Sequence, residues 1–86
     1  MNVQDKMINL FHKIASEVDM NPSVISVSNS LFNEMEEAYE GTSGGTVRMS
    51  FIRDGETLEV CLIKNANVKD GTVELHVKGG IKTIEL

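Results

Sequence analysis

Apolar side chains recur three and four positions apart at the start of the chain. Met7, Leu10, Phe11, Ile14 and Val18 share one face, flanked by Ile8 and Ala15, the pattern of an amphipathic helix over residues 3–18. Asn2 suits its cap and Asp5 its first turn. Asp19-Met20-Asn21 breaks the pattern. Asn21-Pro22 then predicts the start of a second helix, because Asn caps well and Pro favours the first helical position. Met20 and Ile25 have the spacing of a hydrophobic staple. Val24, Val27, Leu31, Met35 and Ala38 continue one face as far as a stop at Gly41. Val24 to Ser28 also alternates as a short strand would, and Asn29-Ser30 offers a second capping point. A helix over residues 22–40 is the expectation adopted.

After the Gly41-Thr42-Ser43-Gly44-Gly45 connector the period changes from helical to two. Asp54-Gly55 is a strong two-residue hairpin turn. It sets Val47 opposite Leu62, Met49 opposite Val60 and Phe51 opposite Leu58, apolar on both sides in every pair. Gly79-Gly80 reads as a second such turn, with Leu75 opposite Ile84 and Val73 opposite Leu86. Period-two patterning then requires Leu58, Val60 and Leu62 to lie beside Val73, Leu75 and Val77. The predicted fold is α+β: two N-terminal helices packed on one face of a four-stranded antiparallel β-meander. Helices 1–40, connector 41–46 and sheet 47–86 form a single domain, since segregated helices and strands mark this class and 86 residues suffice for one core.

Composition changes this picture little. Apolar content of 41% and charged content of 24% are ordinary. No run of residues is long and apolar enough for a transmembrane helix, and the N-terminus does not read as a secretory signal. The single cysteine, Cys61, cannot form an internal disulfide, which points to a reducing compartment and a cytoplasmic protein.

Charge changes it more. Residues 1–40 hold Lys6 and Lys13 against Asp5, Glu17, Asp19, Glu34, Glu36, Glu37 and Glu40, so the whole net charge of −5 lies there. Glu34, Glu36, Glu37 and Glu40 repel one another at helical spacing and oppose the helix dipole. Local stability does not explain them; an acidic patch for a basic protein partner does. On the sheet, Ile52, Cys61 and Ile63 interrupt an otherwise polar face, and an apolar patch with a polar rim suits a partner or a second copy. The outer strands 46–53 and 81–86 offer edges for strand addition.

Residues 11–31 resemble the helix-turn-helix of bacterial DNA-binding domains. Ala15, Met20 and Ile25 stand where that pattern has a small packing residue, a hydrophobe after the turn and a β-branched anchor. The resemblance implies Asn21, Ser23, Ser26 and Asn29 as base-edge contacts and the hairpin at Asp54-Gly55 as a wing. The segment from Asn21 to Glu40 has no Arg or Lys, which ranks DNA binding second.

Other chemistry is sparse. Cys61 and His76 share a sheet face by parity, but one Cys and two His cannot close a four-ligand zinc site. No catalytic constellation or cofactor motif stands out. The leading expectation is a non-enzymatic acidic module that binds another protein, alone or as a homodimer, in the manner of small bacterial or phage accessory proteins and inhibitors. No metal, cofactor or membrane partner is expected.

Overall fold

A computed structural model describes residues 2–18, 21–38 and 46–86. Met20, Glu40 and the Gly41–Gly45 connector, and with them the staple and the second helix's stop, lie outside the described residues. The elements in chain order are helix α1 (Val3–Glu17), strand β1 (Val24–Val27), helix α2 (Asn29–Ala38) and strands β2 (Thr46–Arg53), β3 (Glu56–Lys64), β4 (Thr72–Val77) and β5 (Gly80–Glu85).

The first helix forms as its pattern dictates. Asn2 Oδ1 accepts the Asp5 backbone N–H at 2.9 Å, capping the helix, and Val3, Met7, Leu10 and Ile14 point into the core. Its last turn contains no basic residue. The sheet supplies the missing cations instead. Lys82 donates to the Glu17 carbonyl at 3.2 Å, and Arg53 donates to the Val18 carbonyl. Both meet the negative end of the helix dipole, where carbonyls lack helical partners.

The predicted second helix is corrected. Residues 24–27 form a strand, and α2 begins only at Asn29. Three of those four residues are β-branched, which favours extended backbone. Ser28 ends the strand and caps the helix: its hydroxyl accepts the Leu31 N–H at 3.2 Å, and its carbonyl accepts the Phe32 N–H at 3.0 Å. The shortened helix still buries Leu31, Phe32 and Met35.

The four-stranded antiparallel meander is corrected with it. The described residues form a five-stranded mixed sheet in the order β2-β3-β1-β4-β5. The two helices are not both N-terminal to the sheet, since α2 follows β1. Strand β1 runs parallel to β3 and antiparallel to β4, so Ile25 sits between Leu62 and Leu75. The two hairpins are joined through β1 rather than to each other. The connection from β3 to β4 therefore crosses two strand spacings, roughly 10 Å. It does so across the end of β1, where Asn65 donates its N–H to the Val27 carbonyl at 2.9 Å and Val68 is buried.

The β2–β3 register is the predicted one, with Met49 opposite Val60 and Phe51 opposite Leu58. Asp54 (φ 53°) and Gly55 (φ 80°) make the turn in the left-handed conformation that such a hairpin requires. The β4–β5 register differs from expectation. The turn falls on Lys78-Gly79, so Val73 faces Ile84 and Leu75 faces Lys82. Either glycine of the pair can take positive φ, so the dipeptide alone does not choose. The observed choice delivers Lys82 to the end of α1. It moves the pairing by an even step, so every side chain keeps its expected face. Val47, Phe51, Val60, Leu62, Val73, Leu75 and Ile84 are buried, and Met49, Leu58, Val77 and Leu86 pack against them. Both helices cover that face.

Candidate interaction surface

Among the described residues no helix covers the opposite face of the sheet. The pairings lay a row across all five strands: Arg48, Cys61, Val24, His76 and Ile81. A second row beside it reads Thr46, Ile63, Ser26, Glu74 and Thr83. Cys61, Ile63 and Val24 are half-buried at the centre, and Ile81 on β5 is 59% exposed. Glu59, Glu74, Glu85 and Arg48 surround them. The arrangement is apolar in the middle and charged at the margin, as recognition surfaces are.

Ser26 is fully buried, although its side chain belongs to this open face. It is a small residue on the central strand, overtopped by the larger side chains beside it. Its hydroxyl lies 2.8 Å from Nε2 of His76. The contact orients His76, and the Ser26 hydroxyl itself is not presented to solvent.

The expected patch of Ile52, Cys61 and Ile63 is not one patch. Cys61 and Ile63 are two residues apart on β3, but Ile52 pairs with Thr57 near the turn, about 13 Å along the strand from Cys61 at the usual rise per residue. Val24 and Ile81 take its place beside Cys61 and Ile63. Cys61 and His76 are not on neighbouring strands either, since Val24 of β1 stands between them. Among the described residues no group of three or more His, Cys, Asp or Glu is placed to hold a metal ion.

The acidic cluster divides. Glu34 is taken up by Lys6, whose ammonium reaches its two oxygens at 3.0 and 2.8 Å. Glu36 and Glu37 are exposed on α2, and Glu40 lies outside the described residues. Because α2 covers the other face of the sheet, these acids and the Cys61–Ile63 patch belong to separate surfaces. Beside the Lys6–Glu34 pair, a cleft of about 250 Å³ opens between the helices and the β4 end of the sheet. Of its polar lining, Lys6 is engaged with Glu34 and Ser28 with the start of α2, while Asn9, Ser30 and Asp70 complete its wall.

The helix-turn-helix is not formed, since residues 24–27 are strand β1 and α2 begins at Asn29. Of its base-edge candidates Ser26 is buried, whereas Asn21, Ser23 and Asn29 are exposed, and Asn21 accepts a hydrogen bond from Arg53 at 2.8 Å. Among the described residues no helix is long and apolar enough to cross a membrane. No protein family, curated protein or solved structure matches this chain.

Proposed function

We propose that the chain is a non-enzymatic protein-binding module of the accessory or inhibitory kind, and that its contact surface is the open face of the sheet. The observation that carries this reading is the Arg48–Cys61–Val24–His76–Ile81 row. It is an apolar-centred surface on hydrogen-bonded strands, with no layer above it among the described residues. Three carboxylates, Glu59, Glu74 and Glu85, against Arg48 make the margin net acidic. The partner it fits is apolar at its centre and basic at its rim, since complementary charge selects and orients partners.

The test is affinity capture from the cells that make the protein, with three versions of the chain. Ile63→Asp and Ile81→Asp each place a charge in the centre of the surface and should abolish capture of the partner that the unmodified chain retains. Glu36→Lys, on the helical side, should leave capture intact. Loss of capture with Glu36→Lys and retention with both sheet variants would move the binding surface to α2.

A further inference from the structure

We propose that the β2 edge is the seat of a second copy of this chain. Two copies pair their β2 strands antiparallel across a two-fold axis at Ser50 and fuse into one ten-stranded sheet. This interface is the strand edge, not the open face, and stands without that reading, although Arg48 belongs to both.

The two edges of the sheet are unequal. Strand β5 is short, begins at Gly80 and contains Lys82; Lys13 also donates to the carbonyl of Glu85, occupying an edge acceptor. These are usual protections of an edge. Strand β2 is longer, and along its middle, from Arg48 to Ile52, the one charged side chain is Arg48. Its eight residues, Thr46 to Arg53, include no Pro, Gly or Lys. The hairpin closes on the Arg53–Glu56 pair, and hydrogen-bonded and open pairs alternate from there. The backbone groups of Arg48, Ser50 and Ile52 therefore point away from β3. Ile52, on this edge, is 74% exposed.

The space beside the edge is shaped for a strand. A groove of about 400 Å³ runs between it and α1, walled by Ile8, Phe11, His12 and Ala15 of the helix and Ser50 to Ile52 of the strand. Ile8 is 56% exposed there. No Asp, Glu, Lys or Arg lines it, so the net negative charge of the chain does not oppose a second copy at this place. With the axis at Ser50, Arg48 meets Ile52 of the partner strand and Arg53 meets Val47, so no like charges face each other. The helical stripe from Ile8 to Ala15 is centred on Phe11, which stacks on Phe51 at 5.0 Å between ring centroids. Pairing of this isologous kind consumes one edge per copy and leaves only the protected β5 edges outside, so growth stops at two.

The experiment is light scattering on the unmodified chain, joined to amide hydrogen exchange at high and low protein concentration. The expected mass is twice the 9.5 kDa of one chain, with the Arg48, Ser50 and Ile52 amides protected when concentrated and released on dilution. Ser50→Pro removes one edge donor from each copy, two hydrogen bonds across the axis, and Ile52→Lys sets a cation against Arg48 of the other copy; each should raise the dimer dissociation constant about tenfold or more. Ile81→Asp should leave it unchanged. A monomer at millimolar concentration overturns the proposal. So does a dimer in which those three amides exchange freely, or one that Ile81→Asp dissociates. The exchange measurement needs no variant and decides the matter even where a variant fails to fold.

Discussion

The Ser26 hydroxyl and Nε2 of His76 meet at 2.8 Å on the diagonal of the β1–β4 pair. The two partners are unequal, because Ser26 is fully buried and His76 is half-exposed. Removing them should cost unequal amounts. Ser26→Ala leaves His76 able to turn to water and should lose about 0.5–1.5 kcal/mol, the net worth of a hydrogen bond. His76→Leu strands a buried hydroxyl and should lose more, about 1–3 kcal/mol. Urea midpoints of the two variants give the order directly, and the double variant should recover part of the His76→Leu loss.

The carbonyl end of α1 depends on cations lent by the sheet. Arg53→Ala and Lys82→Ala should each destabilise the chain by about 0.5–1.5 kcal/mol, as for a lost hydrogen bond at a helix end. The effect should concentrate in the last turn of the helix, where amide exchange of Ile14 to Val18 should accelerate. Equal acceleration along the whole of α1 would mean that the contacts hold the helix onto the sheet rather than close its end.

Ile25 is fully buried between Leu62 and Leu75. Ile25→Ala should cost about 2–5 kcal/mol, the loss typical of a large side chain removed from a packed core. In a chain of this size that is enough to leave a measurable unfolded population at room temperature. Circular dichroism and denaturant titration read it out. A loss below about 1 kcal/mol would be incompatible with a central β1.

The Lys6–Glu34 pair is partly exposed and screened by solvent. Lys6→Ala should change stability by less than about 1 kcal/mol, and the difference should shrink in high salt. A thermal melt at two salt concentrations tests both statements.

Much of this fold is legible in the chain, for local reasons. The α1 stripe is long enough to reveal its period, and Asp54-Gly55 admits one hairpin register. Strand β1 is legible only as the competing reading: Val24 to Ser28 alternates and Asn29-Ser30 offers a cap, but so short a stretch does not outweigh the helical spacing of Val24, Val27, Leu31 and Met35. Its partners Cys61 to Lys64 and Val73 to His76 lie far along the sequence, so nothing nearby announces them. The missed β5 register has a different cause: two adjacent glycines offer two turns, and the contact that separates them, Lys82 to Glu17, is tertiary. The open surface inherits these gaps. Parity alone places Cys61 and Ile63 on it. Val24 joins them only once β1 is a strand, and Ile81 follows from its parity with Thr83 and Glu85.

The central position of β1 also sets an order of events. The β2–β3 and β4–β5 hairpins close short loops and can form within microseconds. Strand β1 is synthesised before either hairpin, yet its neighbours β3 and β4 come from one hairpin each. Until the first of them emerges Val24, Ile25 and Val27 have no sheet to enter, and both neighbours are in place only when both hairpins exist. The rate of folding should therefore be set by insertion of this early segment between two preformed hairpins, a non-local step of the slow kind.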